Sequence, residues 1–199
     1  MFTKAAIVSA LAGLAVAAPT PSAPNPNVFS VILNHSTAPI HLAGVSAKGY
    51  NFNVNNGTGT YCPSGTIDCS LAGEVTVFAY NPDSQTLSLD VVVPGGQQAF
   101  VRADGSLGFT IPHSAAIPEG ASIGPFQFTP QETDGTVGQL MFETQGFNAC
   151  KTGETGPTGF DVYQLYAAAV ESEAQLEKEC IDVGFLTSTW TGPIAYEYA

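Results

Sequence analysis

Between Thr86 and Ser114 the chain alternates apolar and polar positions in three runs separated by turn residues. Leu87, Leu89, Val91 and Val93 alternate with Ser88, Asp90 and Val92, the two-residue period of a strand with one buried face. Pro94-Gly95-Gly96 breaks the run, and residues 97–103 resume it. Asp104-Gly105 turns the chain again before Leu107, Phe109 and Ile111, which alternate with Gly108 and Thr110. These runs predict an antiparallel meander. Similar short runs recur along the chain: FSVILN, PIHLA, the asparagine-spaced Tyr50, Phe52 and Val54, and VTVFAY. The Pro/Gly-rich connection PHSAAIPEGASIGP leads on to FQFT, QLMFET, FDVYQLYA and IDVGFLT. The final IAYEYA predicts Ile194, Tyr196 and Tyr198 on one face. Short strands punctuated by Gly and Pro predict an all-β fold, a single antiparallel β-sandwich over residues 28–199. One stretch, AAAVESEAQLEKE from about Ala167 to Glu179, is rich in helix formers and predicts at most one brief helical turn. No internal repeat and no second domain emerges.

The first 17 residues read as a signal peptide. Lys4 supplies the positive start, AAIVSALAGLAVA the apolar stretch, and Ala15-Val16-Ala17 the small-x-small cleavage site. The apolar stretch falls short of the roughly 20 residues needed to span a bilayer. The tail carries Glu197 and ends without a hydrophobic stretch, which argues against a GPI-type anchor. Residues 18–27, APTPSAPNPN, form a Pro-rich leader between the cleavage site and the fold. The expectation is an exported protein with no membrane association once the signal is removed.

Composition sharpens that expectation. The formal net charge is −12, and Lys48, Arg102, Lys151 and Lys178 are the only bases beyond the signal. Such a surface repels phosphate backbones and anionic lipid, which disfavours nucleic acid as a partner. Four cysteines in an exported chain predict two disulfides, for which three connectivities exist. Local proximity favours Cys62–Cys69, closing the CPSGTIDC loop, and Cys150–Cys180, joining two late segments. Asn34-His35-Ser36 and Asn56-Gly57-Thr58 are N-glycosylation acceptors, with Asn34 and Asn56 as the modified residues.

Little in the chain reads as catalytic. Gly120-Ala121-Ser122-Ile123-Gly124 matches the G-x-S-x-G nucleophile elbow, which needs a strand before the serine, a helix after it and a later histidine. Pro118-Glu119-Gly120 precedes the serine, Pro125 follows the motif, and His35, His41 and His113 all lie upstream. A Gly-rich connection is the better reading. Glu143 and Glu197 sit in alternating segments and could form a glycosidase pair, but solvated strand faces explain them better. Copper-dependent oxidative cleavage of polysaccharide requires an N-terminal histidine, whereas cleavage here exposes Ala18. The histidines lack metal-ligand spacing: His41 is expected to be a structural imidazole within PIHLA, and His113 to fix a turn by a side-chain hydrogen bond. Asp83, Asp90 and Asp104 read as turn and surface residues, and no cofactor or metal is expected.

The block VPGGQQAFVRADGSLGFTIPHSA resembles the signature of the fungal PhiA-like cell-wall proteins, a group that includes IgE-binding mould allergens. APIHLAGVSAKG, GTYCP, VTVFAYN, FNAC, FDVYQLYA and CIDVGFLT extend the resemblance in order over roughly residues 28–199. The chain departs from the pattern at Asn148, where an aromatic is expected, and in the acidic ESEAQLEKE insert before Cys180. The resemblance implies a secreted, wall-associated protein of spore-bearing cells with no agreed enzymatic activity. The leading expectation is therefore a non-enzymatic structural protein of the fungal wall or extracellular matrix, with cell-wall polysaccharide as its partner. A carbohydrate-binding module would instead present Trp190 or exposed tyrosines in one plane, and a β-sandwich glycoside hydrolase two facing carboxyls.

Overall fold

The computed structural model describes residues 24–65, 68–132 and 136–199. The signal segment and most of the Pro-rich leader lie outside the described residues. Among the described residues fourteen strands are formed: β1 (Val28–Asn34), β2 (Val45–Lys48), β3 (Asn51–Val54), β4 (Thr60–Tyr61), β5 (Val77–Asn81), β6 (Thr86–Leu89) and β7 (Gln97–Val101). They continue as β8 (Leu107–Phe109), β9 (Phe126–Thr129), β10 (Gly138–Phe142), β11 (Phe147–Thr155), β12 (Asp161–Ala167), β13 (Cys180–Thr189) and β14 (Glu197–Tyr198). The helix former-rich stretch yields a single turn, α1 (Glu173–Leu176).

The fold is all-β and antiparallel as expected, but it is a closed barrel and not a sandwich. Nine strands form the ring β1-β5-β6-β7-β8-β3-β12-β11-β13, and β13 returns to β1. The reason lies in two strands that each serve both sides of the molecule. Residues Cys180–Val183 of β13 pair with β11, and Gly184–Thr189 pair with β1 from Asn34 to Phe29. Likewise β7 pairs with β6 at Gln97 and Gln98 and with β8 from Ala99 to Val101. Strands that turn the corner carry the hydrogen-bond ladder around it, so the ring has no open edge. Beyond the ring, β10 and β9 extend from the second half of β13, and β2 pairs with β3.

Inward positions fill the barrel. Phe29 stacks on Phe128 at 4.2 Å, and Phe29, Phe78, Phe52 and Phe109 follow one another at centroid separations of 5.2–5.9 Å. Phe147 stacks on Phe185 at 3.9 Å across the β11–β13 ladder. Such pairs add about 0.5–1.5 kcal/mol each beyond the area they bury. One seam is thin, because β3 meets β8 through a single pair, Asn51 with Gly108. Two side chains reinforce it. Gln164 Nε2 donates to the Phe52 and Leu107 carbonyls, and the Arg102 guanidinium donates to the Tyr50 and Leu107 carbonyls. Arg102 also lies over the Phe100 ring, 5.2 Å from its centroid.

Several local expectations change. PIHLA is a turn: Leu42 adopts a left-handed φ of 62°, Ile40 is buried in the core, and Ala43 packs against its edge. Residues Val91–Val93 leave β6 and bond instead to the C-terminal tail, with Val91 bridging Ala195 in parallel. In IAYEYA the chain bends at Tyr196, so Ala195 and Tyr198 are buried in place of an alternating tyrosine face. The Asp104-Gly105 turn forms as expected: Ser106 N–H and Oγ both donate to Asp104 Oδ1, and Gly105 takes a φ of 83°.

The disulfides are Cys62–Cys69 and Cys150–Cys180, separated by 7 and 30 residues. Cys150 and Cys180 face each other directly in the β11–β13 ladder, at the start of the strand that closes the ring. Loop-closure entropy then ranks the two bonds. Replacing Cys150 and Cys180 together by alanine should cost about 3–4 kcal/mol of unfolding free energy in denaturant titration, against about 2–3 kcal/mol for Cys62 and Cys69. Equal or reversed losses would contradict that ranking.

Candidate functional site

The loops that flank β7 and β8 build two features back to back, a buried latch and a surface groove. Outward and inward neighbours on β7 divide the work: Gln97 faces in and is 2% exposed, whereas Gln98 faces out. Gln97 Nε2 donates to the Thr110 and Tyr198 carbonyls at 3.1 and 2.9 Å, and its Oε1 accepts from Tyr198 N–H at 2.8 Å. One side-chain amide thereby replaces a missing strand partner for Tyr198.

The Tyr198 ring is fully buried. Its hydroxyl donates to the Val75 carbonyl at 2.6 Å and accepts from Val77 N–H at 3.0 Å. Further bonds tie the tail down, from Val92 and Val93 N–H to the Ala195 and Tyr196 carbonyls and from Gly49 N–H to the Ala199 carbonyl. The C-terminus is therefore an integral wall of the barrel end.

Burial pushes the Tyr198 phenol up to about 12, with the Asp90 carboxylate adding to the rise and the bond from Val77 opposing it. Asp90 itself is raised above the usual carboxylate range by burial.

The groove lies on the outer side, lined by Pro94, Gly95, Gln98, His113, Ser114, Ala115, Ile117 and Ile123, with a volume of about 610 Å³. Its walls are mostly aliphatic. His113 sits at a left-handed φ of 59°, and Gly95 opposite it takes a φ of 87°, a backbone conformation that glycine adopts without strain. The turn at His113 is fixed by Ser114 N–H to the Ile111 carbonyl and Ala116 N–H to Ser114 Oγ, not by the imidazole. The expected side-chain role of His113 is thus taken by its neighbours.

Other candidates fall elsewhere. Ser122 lies in a bridge with Val101, and its hydroxyl donates to the Gly124 carbonyl, so the G-x-S-x-G segment is an extended connection with no following helix. Glu143 is not on a strand. It forms a tight hairpin with Thr144 at φ of 48° and 69°, and its N–H bonds the Pro125 carbonyl. Glu197 pairs with Tyr61, and among the described residues no contact joins it to Glu143. His41, exposed on its turn, accepts from His35 N–H through Nδ1 at 3.3 Å. Among the described residues no group of three or more His, Cys, Asp or Glu is placed to hold a metal. The half-buried Trp190 indole folds back over Gly192 and donates to the Pro193 carbonyl at 3.1 Å. The sequons sit at the end of β1 and after β3: Asn34 is exposed, and the Asn56 Oδ1 and carbonyl accept from Lys48 Nζ. The latch could not be read from sequence because a tyrosine in an alternating tail looks like any strand tyrosine.

The buried phenol makes the latch sensitive to alkali. Below pH 10 Tyr198 is neutral folded and unfolded, and its contribution is complete. Between about 10 and 12 the unfolded chain ionises first, so folding stability is lost as pH rises, by up to about 2–3 kcal/mol. Tyr198→Phe should cost about 1–3 kcal/mol at pH 7, because Val77 N–H and the Val75 carbonyl lose their partner. The variant should also flatten the alkaline decline measured by denaturant titration. An unchanged decline would contradict the assignment.

The loops that make the latch and groove belong to the block that resembles the PhiA-like proteins, and comparison with known proteins extends the match. An uncharacterized secreted protein of the fungus Arthroderma benhamiae is 35% identical over 130 residues, covering 64% of each chain. The alignment thus spans somewhat less than two thirds of that relative's length. No solved structure matches the chain. A family model described as PhiA-like secreted protein matches residues 29–199, from β1 through the buried C-terminal tail. Because that match takes in the whole ring and the latch that seals it, the chain belongs to the PhiA-like secreted protein family.

Proposed function

We propose that this protein is a non-enzymatic structural component of the fungal cell wall or extracellular matrix, working at the surface of spore-bearing cells. The observation that carries the reading is the filled barrel. Phe29, Phe52, Phe109 and Phe147, all on ring strands, are essentially inaccessible, and side chains fill the interior between them. What such a molecule offers its surroundings is its outside. That outside is strongly acidic, and its few cations are already engaged.

Lys48 bonds Asn56, Arg102 bonds the β3 and β8 carbonyls, Lys151 pairs with Asp161 and Glu179, and Lys178 donates to the Tyr166 hydroxyl. A closed ladder, two disulfides and a sealed C-terminus suit a protein that must persist outside the cell. Wall polysaccharide is its partner in this reading, and recognition by host antibodies follows from abundance and persistence. Glycans on the sequons belong to the same picture.

Wall fractionation tests the proposal. The protein should be found in washed walls and be released by detergent if held by weak contacts, or only by glucanase if attached to glucan. Recovery entirely from the culture medium, with none in the wall fraction, would contradict a wall role.

A further inference from the structure

The outer face of the closing strand carries a second groove, about 460 Å³, lined by Gln145, Gly146, Asn148, Ala168, Asp182 and Gly184 among others. It runs over the place where β13 leaves β11 for β1. Gly184 in its lining is the direct partner of Asn34, the acceptor of the first sequon. Leu33 is fully buried, so Asn34 projects outward, toward the face that Gly184 and the exposed Asp182 share. A side chain on Gly184 would come to 3.7 Å from Asn34 Cβ, and its absence leaves that flank of the asparagine bare.

The rest of the sequon is equally open. Ser36 is exposed, and the chain enters a turn in which Ala38 N–H bonds the His35 carbonyl at 3.0 Å. Among the described residues no hydrogen bond engages the Asn34 side chain. At the second sequon, by contrast, the half-buried Asn56 already accepts from Lys48 through both oxygens.

We infer that Asn34 carries an N-linked glycan whose first N-acetylhexosamine lies in this groove, over Gly184 and against the polar side chains of Gln145 and Asp182. The donor is an oligosaccharide on a polyprenyl diphosphate in the secretory compartment. The bond from sugar C1 to the diphosphate oxygen breaks, C1 bonds to Asn34 Nδ2, the amide loses one proton, and the polyprenyl diphosphate leaves. A sugar held there covers the crossover from β11 to β1. Its hydroxyl and acetamido groups meet amide and carboxylate partners along one wall and bare backbone along the other.

The inference rests on the export proposed above, and a heterologous signal peptide separates the two. The full chain is secreted from a eukaryotic host behind its own leader and, in parallel, behind a foreign one. Peptides are then mapped by mass spectrometry after enzymatic deglycosylation in heavy-oxygen water. Label is expected at Asn34 and lost in both Asn34→Gln and Ser36→Ala. Release of the Asn34 glycan from the folded protein should be about tenfold slower than from the denatured protein, as loss of a hydrogen bond or two would predict. Asp182→Ala with Gln145→Ala should recover most of that difference while the fold is retained by circular dichroism. An unmodified Asn34 in protein exported by the foreign signal would overturn the assignment. Equal release rates from folded and denatured protein would overturn the placement in the groove. Failure of only the native leader to export would count against the secreted reading and leave the foreign-leader result to decide the site.

Discussion

The fold depends on one pairing, that of β1 with the second half of β13. Six consecutive residues, Phe29 to Asn34, stand opposite Thr189 to Gly184, and this ladder turns an open sheet into a ring. An open sheet would leave two rows of unpaired N–H and C=O groups, the usual route to edge-to-edge association. Closure also decides what the interior holds. With the ring shut, Phe29 meets Phe78 and Phe128 from other strands, and the phenylalanine series follows the inner wall. The Cys150–Cys180 bond fixes where β13 begins, so the strand reaches β1 in register.

The C-terminal tail does the same work at the end of the barrel. Gln97 and Tyr198 exchange bonds that a backbone would ordinarily supply, and the phenol spans Val75 and Val77 on another segment. Buried polar groups of this kind hold a geometry because every member is satisfied. The block that carries the family resemblance is thus largely architectural. Its inward residues build the latch, and its outward ones leave a shallow aliphatic groove beside His113.

Period two was enough to find most strands, because Phe, Val and Leu alternate with Ser, Asn and Gln wherever one side is buried. It was not enough to find closure. Phe29 and Thr189 are partners across nearly the whole chain, and no local pattern distinguishes a strand that pairs once from one that turns a corner. Where period two misled, a competing local constraint is visible. Pro39 and the left-handed Leu42 make PIHLA a turn, and Val91–Val93 alternate correctly but pair with the tail. The disulfide partners were legible because joining each cysteine to its near neighbour along the chain, Cys62 to Cys69 and Cys150 to Cys180, is the simplest pairing, and the β11–β13 ladder bears it out. The groove beside His113 was not, since its walls come from two chain segments, residues 94–98 and 113–123, that only the folded chain brings together.

Native-state hydrogen exchange along β1 and β13 tests ring closure most directly. In a closed barrel the amides of Val31 to Leu33 and of Phe185 to Ser188 should exchange only through global unfolding, with protection matching the stability of the core strands. If they exchange quickly, as exposed edge strands do, while β11 and β12 stay protected, the ring is open and the account fails.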